Sequence, residues 1–321
     1  MTRIPQGRSL PRARRNLFVL PVVLACLAGA ATAEETKAPG KAPEAALVEQ
    51  RGEIAIHRDI EYAQVGGHSL KLDLYLPTSA KEKPPLVLFF HGGSWKAGSK
   101  KSCQVTWLAE HGYAVASVDY RLTKTAKFPA LIHDCKGAIR FLRAHADHYG
   151  YAAERVAVAG SSAGGHLAAL VATSGGVEEL EGNVGGNLDQ SSRVQAGLVM
   201  YGPTDLYYNA TVEQERCDQP QCPLYQLLGG KPSELLEAAK LASATTHVSK
   251  DDPPIILLYG SADKSLVKPL HGQRLKDCYN ELGLDATYQL IEGAGHGGPQ
   301  YRDETRTRMI LDLLGSQLRG E

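Results

Sequence analysis

The chain has 321 residues, 43% hydrophobic and 22% charged, enough apolar matter for one large globular domain or two small ones. Thirty-five Lys and Arg balance thirty-five Asp and Glu with no basic stripe or acidic tail, so nothing in the charge pattern supports nucleic-acid binding. Arg3, Arg8, Arg12, Arg14 and Arg15 all fall in residues 1–33, where no acid occurs, leaving the remainder net acidic. This basic start runs into the apolar stretch Leu17 to Ala31 and then Ala31-Thr32-Ala33. The pattern predicts a secretory signal peptide over 1–33, cleaved after Ala33, and an exported protein, periplasmic or secreted. The apolar stretch is too short for a membrane span, so none is expected after cleavage.

Residues 34–53, rich in Ala, Pro, Lys and Glu, read as a mobile leader. Two strands follow, Ile54 to Ala63 and His68 to Leu76; in the second, Leu70, Leu72, Leu74 and Leu76 alternate with polar residues. Leu86 to Phe90 and Tyr113 to Val118 are unbroken apolar runs of the kind buried on both faces of a sheet. Pro129 opens a helix whose inner face is Leu131, Cys135, Ala138, Ile139 and Leu142. The strand Arg155 to Ala159 leads through glycines into a helix starting near His166. A Gly-rich loop runs to Ser192, followed by the strands Val194 to Tyr201, Ile255 to Tyr259 and Ala286 to Ile291, with helices ending at Leu282 and Leu318. Strands alternating with helices predict an α/β domain over 54–321: a mostly parallel central sheet, antiparallel strands at its N-terminal edge, and helices on both faces. About fifty residues without a strand, 202–252, are too many for a simple connection and read as a cap insertion over the site.

Gly160-Ser161-Ser162-Ala163-Gly164, between strand and helix, is the setting of a nucleophile elbow. Such a turn exposes Ser162 and aims the N–H of Ala163 at a developing oxyanion. A serine nucleophile needs a base and an orienting acid, and in this architecture they come from the carboxyl ends of strands. Asp263 follows one such strand and His296 another, in the chain order Ser, Asp, His of α/β-hydrolases. Asp205 also follows a strand, but Pro203 and Thr204 before it are turn residues that it would cap. The loop His91-Gly92-Gly93-Ser94-Trp95 offers the backbone N–H groups of Gly93 and Ser94 as further oxyanion donors. His91 reads as a structural hydrogen-bonder, and Trp95 as either a substrate contact or a loop anchor.

No cysteine or histidine cluster has zinc spacing, and no metal or other cofactor is called for. Past residue 33 there are five cysteines, of which Cys217 and Cys222, flanking Asp-Gln-Pro-Gln, are the candidates for a local disulfide. Cys103, Cys135 and Cys278 read as small buried hydrophobes.

His91-Gly-Gly-Ser-Trp95, Asp119-Tyr-Arg-Leu122, Phe128-Pro-Ala130, Gly160-Ser-Ser-Ala-Gly-Gly-His-Leu-Ala168 and Tyr201-Gly-Pro-Thr-Asp-Leu206 together resemble the bacterial feruloyl/acetyl esterase-like (BD-FAE-like) branch of the α/β-hydrolases. The resemblance spans 54–318 and implies a cofactor-free serine carboxylesterase with Ser162, Asp263 and His296 as its triad. It further implies a small-molecule or carbohydrate ester substrate, such as acetyl or feruloyl esters. The chain is also similar to hormone-sensitive-lipase-like esterases, but differs from them at Ser161, where they carry an acid, and at Ser94, where they carry glycine. Kynurenine-formamidase-like amide hydrolases share the HGGxW loop, and serine peptidases share the triad order. A non-catalytic sugar-binding module is the alternative outside enzymes, and the oligomeric state is left open.

Overall fold

The structure, a computed structural model, describes residues 47–265 and 267–321; the signal peptide expected over 1–33 and residues 34–46 of the expected leader lie outside the described residues. The apolar runs of the sequence make one nine-stranded sheet: β1 (Leu47–Arg51), β2 (Ile54–Val65), β3 (His68–Pro77), β4 (Pro85–Phe90), β5 (Ala114–Val118), β6 (Ala152–Ser161), β7 (Ala196–Met200), β8 (Ile255–Gly260) and β9 (Ala286–Ile291). Their order is β1-β2-β3-β5-β4-β6-β7-β8-β9. β1 to β3 form an antiparallel meander joined antiparallel to β5, and every pairing from β5 to β9 is parallel.

The helices are α1 (Ala130–Ala144), α2 (Ala146–Tyr149), α3 (Ala163–Thr173), α4 (Glu178–Glu181), α5 (Leu206–Thr211), α6 (Gln214–Cys217), α7 (Pro223–Leu228), α8 (Leu236–Leu241), α9 (Leu270–Glu281) and α10 (Glu304–Leu318). Successive residues of β4 feed two separate cores. Leu86, Leu88 and Phe90 pack with α1, α3 and α9, whereas Val87 and Phe89 pack with α10 on the opposite face. Both faces are buried, so the run carries no polar alternation. Each fully buried Leu or Phe adds about 1.5–3 kcal/mol of apolar burial relative to exposure.

Residues 47–51, expected within the mobile leader, instead form an edge strand in register with β2, Leu47 opposite Arg58 and Arg51 opposite Ile54. Only Glu49 of the five is better than exposed, so the strand has no apolar alternation to betray it. Its backbone pairing and the Arg58–Glu49 contact at 3.2 Å hold it to the sheet. The Gly-rich stretch before β7 contains α4, one turn that buries Leu180 and supplies the Glu181 carboxylate to Lys136 at 2.7 Å. Between β7 and β8 the insertion consists of α5 to α8 with short 3₁₀ turns and no strand.

Candidate active site

The order of the strands decides where chemistry can gather. β4 lies between β5 and β6, so the chain leaves it in opposite directions on its two sides, and the segments after β4 and β6 diverge over a crevice. Phe90 and Gly160 are register partners at those strand ends. The HGGSW loop and the serine elbow therefore start side by side.

Ser162 has φ +54° and ψ −120°, a conformation L residues rarely adopt and one that costs of order 1–3 kcal/mol. The turn is held because the Ser162 N–H donates to Met200 O at 2.9 Å and His166 N–H donates to Ser162 O at 3.0 Å. Two flanking glycines allow it: a Cβ on Gly160 would lie 2.1 Å from Gly164 O, and one on Gly164 would lie 1.9 Å from Phe90 O.

His296 reaches the elbow from the loop after β9. Gly297, at φ +102°, and a short bridge between Gly295 and Gly297 shape that loop. The Tyr301 hydroxyl donates to Gly295 O at 2.9 Å, and the Tyr201 ring stands edge-on to the imidazole at 4.8 Å. Nε2 of His296 lies 2.8 Å from Ser162 Oγ, and Nδ1 lies 2.6 Å from Asp263 Oδ2. The carboxylate accepts a hydrogen bond from Nδ1–H, which keeps the proton on Nδ1, so the Nε2 lone pair faces the hydroxyl. Asp263, after β8, is buried and fixed by the Ser265 N–H, which donates to its other oxygen at 2.8 Å. The Ser265 hydroxyl lies 3.2 Å from the same imidazole nitrogen. Asp205 is elsewhere. It caps α5 by accepting from Tyr208 N–H at 2.8 Å and pairs with Arg274 at 2.7 Å.

Above the elbow, Gly93, Ser94 and Trp95 all have positive φ, at 119°, 55° and 59°. The turn is closed by Lys96 and Ala97 N–H groups donating to Gly93 O at 3.1 and 3.0 Å. Among the described residues no backbone carbonyl takes the N–H of Gly93, Ser94 or Ala163. His91 is buried under this loop, stacked on Tyr120 at 4.4 Å, with Nδ1–H donating to Gly92 O at 2.7 Å. Burial lowers its pKa. Its geometry is that of a loop anchor.

Trp95 is buried and its indole N–H donates to Nδ1 of His166 at 3.2 Å. The other imidazole nitrogen of His166 donates to Ala242 O in the cap at 2.7 Å. Full burial pushes the His166 pKa down to about 4, so the ring is neutral at pH 7.

Ser162 and His296 open into a cavity of 470 Å³ shared by Ser94, Trp95 and Val267 and walled on the cap side by Arg216, Gln219 and Gln221. Of the residues expected from the sequence, Ser162, His296, Ser94, Ala163 and Trp95 line this cavity, Asp263 stands behind His296 at 2.6 Å, and Gly93 precedes Ser94 in the loop. Sequence reasoning missed His166, Ser265 and the cap residues. The motif position of His166 was the available signal for that residue; the cap residues carry none, since their place depends on how the insertion folds back.

The five described cysteines are unbonded. The expected disulfide between Cys217 and Cys222 is therefore not formed; both cysteines are buried. Among the described residues no group of three or more His, Cys, Asp or Glu is placed to hold a metal ion, and no helix is long and apolar enough to cross a membrane.

A strained serine at a strand–helix elbow, a histidine after the last strand and an acid after the one before it define an α/β-hydrolase. Within that class the chain belongs to the BD-FAE family, whose model matches residues 72–278. It is similar to esterase LipC of Mycobacterium tuberculosis, 30% identical over 241 residues, covering 70% of this chain but only 59% of that relative's length. Among solved structures, a truncated carbohydrate esterase from gut microbiota superposes with a TM-score of 0.74 at 28% identity, covering 88% of this chain and 99% of the other. The thermophilic esterase Est2 of the planctomycete Thermogutta terrifontis follows at 0.65 and 25% identity, covering 88% of this chain and 95% of the other.

Proposed function

We propose that the protein is an exported serine carboxylesterase that cleaves small or carbohydrate-borne esters, acetyl or feruloyl among them, through an acyl-enzyme at Ser162. The observation that carries this reading is the continuous contact from Ser162 Oγ through His296 to Asp263, at 2.8 and 2.6 Å, with the N–H groups of Gly93, Ser94 and Ala163 taken by no backbone carbonyl among the described residues. Ser162 Oγ attacks the ester carbonyl as His296 Nε2 takes its proton. Asp263 stabilises the imidazolium, and the N–H groups of Gly93, Ser94 and Ala163 bind the oxyanion. His296 then protonates the departing alkoxide, and water, activated by the same imidazole, releases the acid and regenerates Ser162. No step calls for a cofactor.

The polar cap wall of Arg216, Gln219 and Gln221, opposite the apolar Trp95 and Val267, suits a hydroxyl-rich alcohol beside a flat or short acyl group. The family relation and the carbohydrate-esterase likeness point the same way.

The test is hydrolysis of p-nitrophenyl acetate, methyl ferulate, acetylated xylan and N-formylkynurenine by wild type and Ser162→Ala, with an organophosphonate as covalent probe. The expected result is ester turnover lost in Ser162→Ala and stoichiometric labelling at Ser162. Labelling at another serine overturns the mechanism, and a clear preference for N-formylkynurenine overturns the ester assignment.

A further inference from the structure

The cavity that Ser162 opens into carries a single unmatched charge. Among the described residues Arg216 is its one lining side chain with a permanent charge, and no Asp, Glu or Lys lines it. Arg216 lies in the last turn of α6 and is exposed, with Nη1–H donating to Ser265 O at 3.4 Å. The acids around it are committed elsewhere. Glu213, three residues earlier, pairs with Lys268, and Asp218 accepts from the Ser233 N–H and hydroxyl at 3.1 and 2.5 Å. Asp263 is turned to His296 and to the Ser265 N–H. Glu215 is adjacent in sequence, and successive residues of a helix do not face each other. Gln219 spends its amide N–H on Glu215 O at 3.1 Å, so the cap wall offers a ligand the guanidinium of Arg216 and the amide of Gln221. The lining also divides by role. Ser94, Trp95 and Ala163 belong to the oxyanion side, whereas Ser265 belongs to the histidine side, its hydroxyl 3.2 Å from His296 Nδ1. His296 protonates the departing alkoxide, so the alcohol half of an ester lies on the side where Arg216 rests.

We propose that Arg216 is a substrate-binding residue that selects esters whose alcohol half carries a carboxylate, with Gln221 as a second donor. The substrate class is then the acyl ester of a hydroxy acid, whether aromatic or a sugar acid. The inference rests on the esterase reading of the site. A guanidinium presents parallel N–H groups at the spacing of the two carboxylate oxygens, a match that neither an amide nor an ammonium provides. Hydroxyl recognition needs no net charge, and glutamines alone serve it. An unmatched cation on the wall adds attraction for anions only. The apolar Trp95, Val267, Pro203 and Pro223 around it lower the local dielectric, which strengthens such a pair above its worth on an open surface.

The test compares kcat/KM for 3- and 4-acetoxybenzoate with that for the corresponding acetoxybenzamides, and for acetylated methyl glucuronoside with acetylated methyl glucoside. Within each pair the acetyl group is the same and the charge on the alcohol differs. Only the anionic-to-neutral ratio is read in each protein, so a general loss of activity cancels. Arg216→Gln should lower that ratio roughly three- to thirtyfold, between the worth of an exposed ion pair and that of a charge-assisted hydrogen bond. Arg216→Lys keeps the charge without the fork and should fall between the two. In wild type the ratio should decline as salt rises from about 0.02 to 0.5 M. Lys264→Gln removes an exposed charge outside the cavity and should leave the ratio within about twofold. A fall in either pair supports the proposal and tells the aromatic from the sugar acid. An unchanged ratio in both pairs, with the neutral esters hydrolysed, overturns the role of Arg216 and leaves the esterase reading standing. An equal fall in Lys264→Gln replaces the contact by a general field and overturns it too. Mono-p-nitrophenyl succinate against p-nitrophenyl 4-methylpentanoate puts the carboxylate on the acyl half. If Arg216→Gln changes that ratio alone, the assignment to the alcohol half is wrong. If wild type hydrolyses none of these esters, the esterase reading fails and this inference falls with it.

Discussion

Trp95 donates its indole N–H to His166, and His166 passes a second hydrogen bond to Ala242. One neutral imidazole thereby ties the loop above the serine, the helix behind it and the cap. The ring accepts on one nitrogen and donates on the other, which only the neutral form can do.

This relay has a pH signature. The His166 pKa falls from 6.5 to about 4 on folding because burial disfavours the charged ring. Below pH 6.5 the unfolded chain binds the proton and the folded one does not, so stability falls as pH drops from 6.5 towards 4 and is constant in this respect above 6.5. The loss over that window is about 3 kcal/mol. His166→Gln can keep the donor to Ala242 but cannot titrate. Urea unfolding at pH 7 should show it destabilised by about 1–3 kcal/mol, and between pH 7 and 4 its stability should decline less than that of wild type. Other buried histidines titrate equally in both proteins, so the difference isolates His166.

The elbow makes a steric prediction. Gly164→Ala would place a Cβ 1.9 Å from the Phe90 carbonyl oxygen, backbone that cannot step aside without parting β4 from α3. Destabilisation above about 4 kcal/mol, or failure to accumulate folded protein, is expected. Gly293→Ala is the control. Its added Cβ meets nothing within 4 Å, and only the positive φ of 70° is strained, which costs about 1–2 kcal/mol. Thermal unfolding of the two variants should separate them clearly.

What the sequence disclosed about this site was whatever is enforced locally. Gly160 and Gly164 are required by atoms a few residues away or on the adjoining strand, and so they form a recognisable string around Ser162. Asp263 and His296 lie far from Ser162 in sequence but at the ends of strands, and an α/β sheet delivers all such ends to one edge. Gln219 and Gln221 obey neither constraint: they reach the pocket through the fold of short cap helices whose packing no periodicity records. β1 escaped notice for a related reason, since an exposed edge strand is held by backbone hydrogen bonds that any side chains permit.

Ser265 orders the acid–base pair from one side. Its N–H holds Asp263 Oδ1 at 2.8 Å, and its hydroxyl accepts from Val267 N–H at 3.0 Å while standing 3.2 Å from His296 Nδ1. Ser265→Ala removes the hydroxyl and keeps the backbone donor. Its kcat on p-nitrophenyl acetate should fall by about two- to tenfold, equivalent to one modest hydrogen bond. KM should change by no more than about twofold, because the hydroxyl, although Ser265 lines the cavity, is engaged with Val267 N–H and His296. A steady-state comparison at saturating substrate checks both parts.

Two aspartates follow strands and only one faces the histidine, so exchanging each for asparagine tests the assignment of the acid. Asp263→Asn leaves the shape of the side chain but makes its amide donate where the carboxylate accepted, which favours the wrong imidazole tautomer and removes the charge that stabilises the imidazolium. The loss of kcat in such a change approaches about 10⁴. Asp205→Asn keeps an N-cap of comparable strength for α5 and gives up an ion pair with the half-exposed Arg274. Its expected cost is about 1 kcal/mol of stability or less, with kcat/KM within about twofold of wild type. Both variants should be compared at the same pH after circular dichroism has established equal folding. Greater loss of activity in Asp205→Asn than in Asp263→Asn would move the acid to β7 and contradict the geometry in which Asp263, at 2.6 Å, touches the imidazole.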